Sequence, residues 1–131
     1  FSPCSYYYLV HRAPVTQPTR DVIILAKIEP MTASKKYVIL RLKAIPDYLP
    51  LRPPFIRMLA EDMTIKWTPT ADNKTHFEVE GNIDPGGDMP VWAINAVQRQ
   101  APYYTVLGLQ RRVTHPDVVN DTSPLPFTIR K

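Results

Sequence analysis

The sequence predicts an α+β domain in which consecutive antiparallel strands form one curved sheet and a long C-terminal helix closes it. Three observations carry this. Lys74 to Ile83 alternates, with Phe77, Val79 and Ile83 on one parity and His76, Glu78, Glu80 and Asn82 on the other, the period of a strand with one dry and one wet face. Asp84-Pro85-Gly86-Gly87 then supplies a turn whose glycines can take positive φ. Beyond it Ile94, Val97, Ala101, Tyr104 and Leu107 recur at helical spacing, opposite Asn95, Gln98, Arg99 and Thr105. A helix that leaves a strand so directly has the sheet as the nearest surface for its dry face.

The remaining elements follow in order. Ser5 to Arg12 carries Tyr6, Tyr7, Tyr8, Leu9 and Val10, side chains suited to a strand, and Pro14 and Pro18 mark the loop after it. Arg20 to Glu29 is an almost unbroken apolar run, expected as a central strand, with Arg20-Asp21 at its start as a local charge pair that fixes the preceding loop. Pro30 to Ser34 is a loop with Met31 exposed near its tip. In Lys35 to Ile45, Val38, Leu40 and Leu42 alternate against Ile39, Arg41 and Lys43, another strand. The proline-dense stretch Pro46 to Pro54 is a loop packed on the surface. Phe55 to Ala60 and Met63 to Thr68 read as a hairpin about Glu61-Asp62. The helix is expected from Asp88, as N-cap, to about Val113, with Pro90 in its first turn and a kink or interruption near Gln98 to Pro102. Residues 1–114 form the domain and 115–131 a polar tail that is extended on the surface or disordered.

Composition narrows the function. A chain of 131 residues holds one domain with a modest core. The net charge of +4 comes from scattered residues, without a basic arm or helix, which argues against nucleic acid and allows at most transient contact with an anionic membrane surface. The fifteen prolines fall between patterned segments and act as punctuation. Cys4 is the one cysteine, so no internal disulfide forms, and His11, His76 and His115 lie in separate elements, so no metal is expected. Glu78 and Glu80 share the parity opposite Phe77 and Val79 and read as solvated. Asp88 places negative charge where Gly86-Gly87 would otherwise cradle a phosphate. No nucleophile elbow or dinucleotide fingerprint occurs, and no cofactor is expected. What remains is apolar surface. Small residues at the facing positions, Ala26, Gly81, Ala93 and Ala101, leave room for a concave apolar site.

The run Lys74 to Asn95, with Asp84-Pro85-Gly86-Gly87, Met89-Pro90 and Trp92-Ala93-Ile94-Asn95, resembles the final strand and opening of the last helix of START domains, the lipid-transfer domains related to the steroidogenic acute regulatory protein. Ala13-Pro14 followed by Arg20-Asp21-Val22-Ile23-Ile24-Leu25, and Pro46-Asp47-Tyr48-Leu49-Pro50 followed by Pro53-Pro54-Phe55-Ile56-Arg57, extend the resemblance, whose wording is nearest to bacterial members. It covers roughly Tyr6 to Val113. It implies a helix-grip fold without catalysis by the domain, binding one sterol, phospholipid or other lipid in a tunnel between curved sheet and helix. The lining expected is Val22, Ile24, Ala26, Ile39, Met58, Phe77, Val79, Ile94, Val97, Ala101 and Tyr104; Arg41 and Arg57 are candidate headgroup contacts and Met31 a candidate gate. START domains open with a helix and further strands that have no counterpart here. With Phe1 in place of Met, a fragment lacking the N-terminal third of the domain is expected, its open sheet edge inviting homo-oligomerisation or segment exchange. Two other classes stand beside lipid carriage: a helix-grip enzyme of the polyketide cyclase or aromatase type, which would place a His or carboxylate in the cavity, and a structural or interaction domain with a solid core.

Overall fold

The computed structural model describes residues 4–14, 16–125 and 128. The last residues of the expected tail, 126–127 and 129–131, lie outside them. Six strands and two helices follow one another: β1 (Cys4–His11), β2 (Arg20–Glu29), β3 (Val38–Ala44), β4 (Ile56–Arg57), β5 (Ala60–Pro69), β6 (Thr75–Asp84), α1 (Val91–Val113) and α2 (Pro116–Val119). The chain divides into two compact units, one running to Gly87 and the other Asp88–Leu125.

In the first unit the strands form a curved open sheet in the order β1-β2-β3-β5-β6, all neighbours antiparallel. β2, with strands on both sides, is buried along most of its length, as its apolar run predicts. The expected hairpin about Glu61-Asp62 does not form. Those residues lie inside β5, which pairs with β6 without a break from Ala60 opposite Asp84 to Pro69 opposite Thr75. Ile56 and Arg57 instead pair parallel to β2, opposite Arg20 and Asp21. β4 thereby occupies the edge of β2 that β3 vacates beyond Ala44. The amide of Ile45 donates to the Ile23 carbonyl on leaving, and that of Met58 donates to Asp21 on returning, each at 2.9 Å. The chain between them is the proline-dense loop 46–55. Pairing in β4 brings Arg57 inward, and the local alternation of apolar residues carries no signal of that.

The buried cluster is Val22, Ile24, Ala44 and Met58, with Leu42 packed against it. Cross-strand charge pairs hold the opposite face. Lys66 meets Glu78 at 2.8 Å and Arg41 meets Glu29 at 2.6 Å, while the Lys66 ammonium lies 4.8 Å from the Tyr37 ring centre.

In the second unit, α1 starts two residues later than expected. Pro90 occupies the N-cap position and no side chain caps the first turn, so Asp88 is not the N-cap. The helix runs through Pro102 without interruption. Arg111 and Arg112 stand in its last turn, where cations complement the carbonyl end of the helix. Part of the expected extended tail is helical instead: α2 makes one turn, with Pro116 at its start and Asp117 bound by Arg112 at 2.8 Å.

Candidate functional site

Strand register assembles one apolar face from five strands. Directly opposed residues project to the same side of a sheet, and the pairs run Leu9 to Val22, Tyr7 to Ile24, Ile24 to Ala44, Ala26 to Leu42, Leu42 to Met63, Leu40 to Ile65, Ile65 to Val79 and Trp67 to Phe77. Met58 joins this face through its contact with Val22, Ile24 and Ala44. Burial is complete at Val22 and Ile24 and falls toward β6, where Val79 is 43% and Ile83 47% exposed. Gly81 sits opposite Met63; a Cβ there would lie 2.2 Å from the Met63 Sδ, so the glycine lets the thioether cross β6. The centroids of Trp67 and Phe77 lie 5.8 Å apart at the far end.

Of the expected lining residues, Val22, Ile24, Ala26, Met58, Phe77 and Val79 therefore share this face. Ile39 does not. It pairs with Glu29 and Lys66, on the parity of Arg41 and Lys43, and its burial belongs to the opposite side of the sheet. Ile94, Val97, Ala101 and Tyr104 lie on α1 in the second unit, where Tyr104 packs edge-on against Tyr103 at 5.4 Å. Met31 is buried, not exposed at the loop tip.

The two candidate headgroup arginines differ. Arg41 is half exposed and held by Glu29 and Thr64. Arg57 is 7% exposed and has all five N–H donors engaged. Nε donates to Asp21 Oδ1 at 2.9 Å and Nη2 to Asp21 Oδ2 at 3.0 Å. Nη1 donates to the carbonyls of Pro46 at 2.5 Å and Leu49 at 3.0 Å, and Nη2 to that of Pro50 at 3.0 Å. This fork organises the proline-rich loop and leaves no donor for a headgroup. Asp21 also accepts from the Tyr8 hydroxyl at 2.9 Å. Its carboxyl is held below the usual range, first by Arg57 and also by Tyr8, against the opposing effect of burial. Asp21 thus pairs with a residue 36 positions away and not with Arg20, whose guanidinium donates to the carbonyls of Pro18 and Pro85. The available sequence signal was a charge in each of two otherwise apolar runs, since an inward charge needs a partner.

One polar pair stands on the apolar face. His11 is opposite Arg20 and shares the parity of Leu9, and Glu61 shares that of Met63. His11 Nε2 lies 3.0 Å from Glu61 Oε2. In sheet order β2 and β3 separate their strands, so a flat sheet would hold the two backbones roughly 14 Å apart, three spacings of about 4.8 Å. The contact therefore requires the sheet to curl toward this face, which is the concave one. Glu61 raises the His11 pKa above the ordinary imidazole value, with burial acting the other way. The stabilisation from a raised imidazole is present below its unfolded value of about 6.5 and is lost as pH rises through the folded one. Urea titrations of the native chain and of Glu61→Gln are expected to differ more at pH 5.5 than at pH 8.5. Equal differences at both would show that His11 draws nothing from Glu61.

Among the described residues no group of three metal-ligating side chains occurs, and no helix is long and apolar enough to cross a membrane. No protein-family model matches the sequence, and no curated protein matches it either. Among solved structures, the chain is similar to a fragment of a STAR-related lipid transfer protein from Xanthomonas axonopodis, at 26% identity and a TM-score of 0.75. The alignment covers 88% of this chain and 63% of that one. The match bears out the resemblance carried by the strand-turn-helix segment, and with it the α+β helix-grip class.

Proposed function

We propose, from the premise that this chain has a START-like helix-grip fold, that it binds and transfers a hydrophobic ligand without chemically altering it. The observation that supports this most directly is the concave apolar face, which continues across five strands and carries its charged side chains, Arg20, His11 and Glu61, at one end. The likeness to a lipid transfer protein points the same way. In this reading the ligand lies along Val22, Ile24, Ala26, Met58, Phe77 and Val79. Each methylene withdrawn from water contributes about 0.8 kcal/mol, so a long chain is held without a covalent step.

Native mass spectrometry of the purified chain, followed by lipid extraction, tests this. A co-purifying hydrophobic ligand, or uptake from a sterol and phospholipid panel, is the expected result; absence of both would overturn the proposal. A cyclase-type enzyme is a second reading because a His and a carboxylate do stand on the apolar face. Release of the bound ligand with its mass changed would favour that reading.

A further inference from the structure

We propose that the proline-dense loop 46–55 is a docking surface for a lipid bilayer, entering its interfacial layer with Leu49 and Leu51 while Arg52 meets lipid phosphate. The inference goes beyond ligand carriage and does not rest on it. The loop packs on the convex side of the sheet, against Tyr6, Tyr8 and Asp21, whose parity is opposite to that of Tyr7, Leu9 and Val22.

The loop shows apolar side chains that the fold leaves uncovered. Tyr48 is 57%, Leu49 41% and Leu51 70% exposed, although the chain around them is held at several points. Arg57 takes the carbonyls of Pro46, Leu49 and Pro50, Tyr48 stacks on Tyr6 with ring centres 4.9 Å apart, and the Arg52 guanidinium lies 5.2 Å from the Tyr8 ring centre. A loop fixed in this way presents its leucines with little further ordering on contact.

The backbone suits a medium poor in water. Pro46, Pro50, Pro53 and Pro54 have no N–H to leave unpaired. Besides the three carbonyls bound by Arg57, those of Ile45 and Arg52 accept from the amides of Tyr48 and Phe55 at 3.1 Å. Each group already bonded needs no water when the loop leaves it. Patch size separates a bilayer from a protein partner. A stable protein interface takes about 20–30 residues a side, and the exposed side chains of one loop fall far short of that. They suit reversible attachment to a membrane interface, where leucine and tyrosine both reside. Among the described residues no acceptor meets the Arg52 guanidinium, so its donors remain for phosphate. Asp47 balances its charge within the loop, so the leucines supply most of the binding.

The test is co-sedimentation of the full chain with sucrose-loaded vesicles of phosphatidylcholine, with and without phosphatidylserine. The chain is expected to bind both, and Leu49→Ser combined with Leu51→Ser should weaken binding about tenfold, the scale of returning two leucines to water. Arg52→Gln should weaken binding to the phosphatidylserine vesicles about fivefold, the scale of one arginine at an anionic surface. Leu125→Ser removes a leucine that is 60% exposed outside the loop and should leave binding within about twofold. All these positions are exposed, so unchanged urea midpoints are expected and show that the variants are folded. No binding to either vesicle, or equal losses from Leu125→Ser and from the leucine pair, would overturn the docking surface. Sedimentation velocity showing a dimer that the paired leucine variant abolishes would overturn it too, by assigning the loop to a second copy of the chain. Ligand uptake is read separately by native mass spectrometry, so these failures leave the carrier reading standing.

Discussion

Arg57→Met is expected to lower stability by about 3–5 kcal/mol, the scale of a buried ion pair deprived of one partner. For a domain whose total stability is roughly 5–15 kcal/mol, that is a large part of what holds it folded. The substitution keeps the hydrophobic stem and removes the fork. It strands the Asp21 carboxylate, which is 0% exposed, and takes the donors from the Pro46, Leu49 and Pro50 carbonyls. Urea unfolding followed by tryptophan fluorescence measures the loss. Adding Asp21→Leu should restore part of it, because the orphan charge goes too; the three loop carbonyls still lose their donor, so recovery stays incomplete. Acid stability carries the same signature. A carboxyl held below its usual value contributes stability above the unfolded pKa of about 3.9 and loses that contribution as pH falls through the folded value. Arg57→Met should flatten that acid limb. A loss below about 1 kcal/mol, typical of exposed pairs, would show that the fork is not the element holding the loop.

Gly86→Ala should cost about 2–5 kcal/mol, through two separable effects. Gly86 sits at φ +63°, where a residue with a Cβ pays about 1–2 kcal/mol. A Cβ there would also lie 2.3 Å from the Arg57 carbonyl oxygen, which is backbone and cannot rotate away, adding about 1–3 kcal/mol of overpacking. Gly87 provides the internal control. Its φ is +62°, but its Cβ would meet only the Ile56 Cγ2, at 3.2 Å. Gly87→Ala should therefore show little beyond the left-handed cost. Thermal unfolding of the two variants side by side checks this, and equal losses would mean that close approach to Arg57 plays no part. The expected geometry explains why Gly86 stands where it does: the turn after β6 runs against the backbone of β4.

The strands whose alternation is clean were legible residue by residue. Phe77 and Val79 against Glu78 and Glu80 placed the apolar side of β6 correctly, and the unbroken apolar run of β2 identified a strand with neighbours on both sides. The misreadings share a cause. Ile39 lies in an alternating strand, but hydrophobicity drew it onto the wrong face; register with Glu29 and Lys66 puts it with Arg41 and Lys43. Glu61-Asp62 looked like a turn because two acids interrupt apolar residues, whereas in β5 they continue a strand whose face is polar there. His11 and Glu61 read separately in the sequence, as a lone histidine and a turn residue, although 50 positions of chain between them close to a 3.0 Å contact.

The sequence by itself determined the order of strands and helix, the turn at Gly86-Gly87 and the apolar parity of β3 and β6, because each depends on backbone and side-chain preferences acting over a few residues. Only the tertiary structure decided that Ile56-Arg57 pairs beside β2, that Arg57 is sealed against Asp21 and three carbonyls, and that the concave face ends in His11 and Glu61. Those outcomes depend on which distant strands share an edge and how far the sheet curls. Burial then makes a charge find its partner wherever in the chain it lies, and no local pattern records that choice.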